Sequence, residues 1–149
     1  MDFQAEASLP GLGPKRDMET VSFLLDNNHL MRRGIRIHKD TDDIVNVGKE
    51  HKLTAGLALV RVEVGANKGR YVDAGHPDAP VAASVVESVL LMESISLHDA
   101  DGVREDKVAS GLIHGRVDET KVRFGTADPT YIAAIKSALK LVEFEKPAP

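Results

Sequence analysis

Histidine is the residue type in this chain best suited to metal binding or proton transfer, and six are present: His29, His38, His51, His76, His98 and His114. A helical zinc site of the His-Glu-x-x-His kind needs two of them three or four residues apart, so that both imidazoles leave one face. No pair has that spacing, and these side chains are expected at the surface or in turns. Asp99-Ala-Asp101-Gly102 has the start of a calcium-binding loop. It lacks a third oxygen ligand before the glycine and a closing glutamate, so an Asp-Gly turn accounts for it.

Gly11-Leu-Gly13-Pro-Lys15 has the glycines of a phosphate cradle. No strand precedes it, no Gly-Lys-Ser/Thr ends it, and Pro14 removes a backbone donor that such a loop needs. Glu87 and Glu93 form a conceivable carboxylate pair, yet the sequence beside them supplies no acid-base counterpart, and both are assigned to a solvated face. Ser84, Ser88, Ser94, Ser96 and Ser110 sit in no Gly-x-Ser-x-Gly elbow. The residues argue against an enzyme, and no cofactor or metal is expected. A small enzyme or ligand-binding domain using His98, Asp99 or His114 is the least favoured reading.

The elements that would position any site must come from a chain of 149 residues that is 42% hydrophobic, enough for one modest core. Aromatics make up 4% and Trp is absent, so that core rests on Val, Leu, Ile and Ala, which suits closely spaced strands. Lys and Arg are scattered, and the net charge of -4 leaves no basic stripe to follow phosphates, which argues against a nucleic-acid partner. With no Cys, disulfides and thiolate metal sites are excluded. The first residues lack the pattern of a secretory signal, and no apolar run approaches the roughly 20 residues that span a bilayer, so no membrane partner is expected.

Residues 1 to about 20, with Pro10-Gly11-Leu12-Gly13-Pro14, read as an extended arm. Val21 to Leu25 suits a short strand, Asn27-Asn28 a turn, and Gly34 to His38 alternates Ile35 and Ile37 against Arg36 and His38. After the polar break Asp40 to Asp43, Leu53-Thr-Ala-Gly56 opens the expected core. In the run from Leu57 to Val64, Val60, Val62 and Val64 share one face while Arg61 and Glu63 take the other, which predicts a strand with one wet side. Gly65 to Gly69 turns it into a hairpin with Arg70 to Val72.

Gly75 to Pro80 is a loop. For Val81 to Leu97 periodicity fits both helix and strand, and strand is favoured over about Val86 to Leu97. Strands follow at Lys107 to Val117 and Lys121 to Phe124. Asp128 before Pro129 starts a helix, with Ile132, Ile135 and Leu139 on one face, and Leu141 to Phe144 makes the final strand.

The fold class is therefore α+β, predominantly β: a small body with one clear C-terminal helix and an extended N-terminal arm. The expected division is an arm with short strands over 1–50 and a β-rich body over 51–149. Val21, Phe23, Leu24, Leu25, Ile35 and Ile37 lie in segments too broken to build a core of their own. They are the candidate partner-binding residues, or else the first strands of the same small domain.

Leu53-Thr-Ala-Gly-Leu57, the Gly69-Arg-Tyr-Val72 strand after a glycine turn, the Val86 to Met92 apolar strand, Val108 to Val117 and the Asp-Pro-helix-strand ending together resemble the head decoration (capsid cement) proteins of lambda-like tailed bacteriophages. The likeness covers about two thirds of the chain, Leu53 to Phe144. That family often closes its helix with Gly before the last strand, where this chain has Lys140 and Leu141.

The resemblance implies a homotrimer that binds the major capsid protein on the outer face of an expanded icosahedral head and stabilises it against packaged DNA. It implies a virion protein assembled in the host cytoplasm. The runner-up is another β-rich virion protein, of a tail tube or of head completion.

Overall fold

The sheet is organised by its longest strand. Val108, Ile113 and Val117 favour extended backbone, Ala109 and Leu112 add apolar side chains between them, and all five fall in β7 (Lys107–Asp118). The computed structural model describes residues 23–26, 29–43 and 52–146. Before β7 come β1 (Met31–Ile37), β2 (Lys52–Leu53), β3 (Ala58–Arg61), β4 (Tyr71–Val72), β5 (Ser88–Leu91) and β6 (Ile95–Ser96); after it come helix α1 (Pro129–Ala138) and β8 (Leu141–Glu145). The chain is α+β and mainly β, with its one described α-helix near the C-terminus.

β7 pairs antiparallel with the whole of β1, antiparallel with β5 at Leu90↔Leu112 and Leu91↔Gly111, and parallel with β8 from His114↔Leu141 to Asp118↔Glu145. β5 pairs with β3, β3 with β4, and β4 with β1 through Ile37↔Tyr71. The path β1-β4-β3-β5-β7 therefore returns to β1 and closes a small ring, to which β8 is appended. β2 and β6 form a separate two-stranded ribbon.

Closure gives the period-2 alternation of the strands two apolar environments. Ile35, Ile37, Leu59, Tyr71, Val89, Leu91 and Ala109 meet inside the ring, joined by Leu53, Leu57 and Leu97. Their sequence neighbours Ala58, Val60, Val72, Leu90, Met92 and Leu112 form an outer layer beneath Ile135 and Leu139, with Phe23, Val122 and Val142. Each fully buried Leu or Val side chain contributes about 1.5–3 kcal/mol relative to exposure.

Several expectations change for this reason. The wet side foreseen for the strand after Leu57 is occupied: Leu59 is fully buried, because ring closure supplies a second core. Val64, expected to share a buried face with Val60, is 79% exposed, since β3 ends at Arg61 and the chain turns at Gly65. The strand foreseen for Val86 to Leu97 is two strands in two sheets, β5 and β6, separated where the Glu93 carboxylate accepts from Ser110 N and the Ser94 hydroxyl from Ala55 N. Val81 to Val85 is a short 3-10 turn with flanks. Lys121 to Phe124 contributes a 3-10 turn and one bridge, Leu57↔Arg123, in place of a full strand.

The division at residue 50 does not follow the sheet. β1, from the segment assigned to the arm, closes the ring by pairing on both its edges. The helix forms as expected: Asp128 Oδ1 accepts from Thr130 N at 3.0 Å, with Pro129 in the first turn.

Where β7 crosses β5, a Cβ placed on Gly111 would lie 2.7 Å from Val89 Cβ and Cγ2. The branched valine has no room to yield, so the two strands approach as closely as they do only because position 111 is glycine. Gly111→Ala is expected to cost about 1–3 kcal/mol through overpacking. Gly34→Ala, whose added Cβ meets nothing within 4 Å, is expected to stay within about 0.5 kcal/mol of the parent. Urea midpoints of the two variants check both.

Candidate functional site

Reactive groups would have to come from the charged and imidazole side chains that closure brings together. One cluster sits at an end of the ring, where the interior positions of three strands turn polar: Arg33 continues the row of Ile35, Arg61 that of Leu59, and Glu87 precedes β5 on the row of Val89. Glu87 is paired to Arg33, accepts from Arg61 Nη1 at 2.7 Å and from the Tyr71 hydroxyl at 2.9 Å. Arg61 Nε also donates to Glu63 at 2.9 Å.

Desolvation at this mouth pushes the Glu87 carboxyl up, and the hydrogen bonds from Arg33 and Tyr71 with the positive charges of both arginines pull it below its ordinary value. Burial and the Glu87 carboxylate raise the Tyr71 hydroxyl. A carboxylate held by three donors is a poor base, and the cluster acts as an ionic plug over the inner core. Glu87, assigned from sequence to a solvated face, is thus a structural acceptor.

A second cluster locks the chain at Asp43, whose side chain is fully buried. Arg123 donates to it from Nε at 3.1 Å and from Nη2 at 2.6 Å, a two-point geometry that favours arginine over lysine. Thr54 N and Oγ1 donate to Asp43 Oδ2 at 3.0 and 2.8 Å. Arg123 reaches on to the Thr54 carbonyl at 3.0 Å. Every strong donor and acceptor here serves to join three segments distant in sequence. Arg116 ties Asp26 at 2.6 Å to Glu145 at 2.7 Å in the same manner on the surface.

Of the histidines, His38 and His76 are brought together, with ring centroids 5.0 Å apart and the rings 71° from coplanar. His38 stands in a turn as expected, its carbonyl accepting from Thr41 N at 3.1 Å, but it is buried and not at the surface. His38 Nδ1 accepts from Asp40 N and His76 Nδ1 from Asp78 N, at 3.1 and 3.0 Å. Nearby, burial pushes Asp73 up, against the amide donors of Asp42 and Gly75. Among the described residues no group of three or more His, Asp or Glu side chains is placed to hold a metal ion. Asp99 closes its turn by accepting from Asp101 N and Val103 N at 2.8 and 2.9 Å.

The candidate partner-binding residues are placed as follows. Phe23, Ile35 and Ile37 are 1%, 4% and 0% exposed and belong to the two cores. Folded in this way they offer no surface to a partner. The reason is pairing to distant strands: β1 joins β7 and β4, and Phe23 O accepts from Asp118 N at 2.9 Å. Leu24 and Leu25 are half-buried, with Leu24 bridged to Val117. Val21 lies outside the described residues.

The apolar side chains that do stand in solvent, among them Val64, Val81, Val86 and Leu141, were not singled out by pattern. Their signal is an apolar residue beside proline, next to a turn or at an element's end: Leu141, the first residue of β8, pairs to His114 and is still 58% exposed.

Glu87→Gln removes the charge from the plug. Since the folded value lies below the ordinary 4.5, the carboxylate stabilises the fold fully above about pH 4.5, and that stabilisation is lost as pH falls through the folded value. The variant is expected to be less stable than the parent by about 1.5–3 kcal/mol at pH 7, with the difference shrinking toward pH 3. Denaturation curves across that range measure it. Comparisons with models of known protein families, with curated proteins and with solved structures found no match.

Proposed function

We propose that this chain is a phage head decoration protein, which binds the outer face of the expanded icosahedral capsid as a trimer and stabilises it against the pressure of packaged DNA. The observation that carries the reading is the order of elements: a Leu-Thr-Ala-Gly opening, a glycine-turn hairpin, a buried strand, one long strand, then an Asp-Pro-started helix and a terminal strand paired back onto that long strand. The charged clusters of the body add support, because their donors and acceptors are directed at one another and hold the fold.

The physical role follows from linkage. A protein that binds only the matured lattice lowers the free energy of that state by RT ln(1 + [L]/Kd) per site, and three joined subunits raise the effective concentration of each weak contact. Contact with the major capsid protein falls to residues 1 to about 22, since Phe23, Ile35 and Ile37 are engaged inside the body.

The test is to mix the purified protein with empty expanded and unexpanded heads and measure binding to each. Selective binding to the expanded form is expected, and equal or absent binding to both removes the proposal. Deleting residues 1 to 20 is expected to weaken that binding with the thermal midpoint nearly unchanged. Phe23→Asp and Ile35→Asp, in contrast, are expected to destabilise the body by several kcal/mol, about what a charge forced into an apolar site costs, so calorimetry detects them before a binding isotherm does.

A further inference from the structure

Single exposed apolar side chains are ordinary on a protein surface, whereas gathered ones mark an interaction site. Two gatherings stand out on this body. Val86 and Leu141, 62% and 58% exposed, line a groove of about 380 Å³ whose rim carries Lys140 and the Arg33–Glu87 pair. Val64 and Val81, 79% and 69% exposed, line a second hollow with Pro80, whose rim carries Glu63 and Asp78.

The rims differ in their uncompensated charge. Arg33 and Glu87 hold each other and Glu63 is held by Arg61. That leaves Lys140, which has no ion pair among the described residues, on the first rim. On the second it leaves Asp78, which has no ion pair among the described residues and accepts the Asn67 amide at 2.7 Å. Either patch placed against itself brings like charges together. The first placed against the second brings Lys140 to Asp78 and covers four valine and leucine side chains at once.

We infer that a second copy of this chain docks head to tail, the Val86/Leu141 groove of one receiving the Val64/Val81 patch of the next, with Lys140 facing Asp78 across the contact. Such a heterologous contact closes into a ring when the rotation it imposes between copies closes, and otherwise extends into a filament. Val81 and Val86 belong to different patches and are five residues apart in sequence, within about 17 Å of each other even on a fully extended chain, which favours a small closed ring. The pairing goes beyond the decoration reading; only a copy number of three rests on that reading.

Sedimentation of the full chain over a range of concentrations tests it. The parent is expected to form a small closed oligomer. Val86→Asp, Leu141→Asp and Val64→Asp are each expected to yield monomer with the thermal midpoint little changed. Val108→Asp, at a 72% exposed position outside both patches, is expected to leave association intact. Lys140→Asp and Asp78→Lys are each expected to weaken association about 2–5-fold, as befits an exposed ion pair, and the double exchange to restore it.

A parent that stays monomeric, oligomers that survive both Val86→Asp and Val64→Asp, or a double exchange that restores nothing would overturn the inference. A chain that self-associates through these patches yet ignores expanded heads contradicts the decoration reading alone. A chain that binds expanded heads as a monomer contradicts the head-to-tail contact alone.

Discussion

Everything in this body depends on β1 closing the ring. Without it, β7 and β4 would each present an unpaired edge, and the interior faces of β3, β4 and β5 would lie open on one side. With it, seven consecutive residues pair to β7 and Ile37 pairs to Tyr71, so that an apolar row on every ring strand faces the same enclosed space. The energetic gain is cooperative, because no strand of the ring can bury its interior row alone.

The polar clusters follow from that closure. A ring of short strands has open ends, and polar groups near an apolar interior must find partners. One end is plugged by Arg33, Arg61, Glu63, Glu87 and Tyr71, each satisfying another. The Asp43–Arg123 pair joins the segment after β1 to the segments that flank β2 and precede α1. Breaking a buried pair of this kind from one side leaves an uncompensated charge, at a cost of about 3–5 kcal/mol. These ionic groups hold the geometry of the body.

The sequence showed the local elements well and their assembly poorly, for a physical reason. The Asp128-Pro129 helix start, the Gly65–Gly69 hairpin and the final strand depend on a few adjacent residues, and each stands where pattern places it. What pattern could not show is which side of an alternating strand meets a second core. The side of the strand that carries Arg61 and Glu63 read as wet, and Ile35 and Ile37 as either partner-binding residues or first strands of the domain, because the strands that bury Leu59, Ile35 and Ile37 lie far along the chain. The same blindness put Glu87 in solvent: its three donors come from positions 33, 61 and 71. The exposed valines at 64, 81 and 86 were hidden in the opposite sense, lying in runs whose composition suggests burial.

The closed ring requires that β1 be a permanent wall of the body and not a loose piece of an arm. Hydrogen exchange of the free protein, followed residue by residue, tests this most directly. If the ring is closed in solution, the amides of β1 that pair with β7 exchange as slowly as those of β5 and β7, and open only with the whole body. Exchange of β1 at the rate of an unstructured segment, with β5 and β7 still protected, would contradict the closed ring and return Ile35 and Ile37 to the surface.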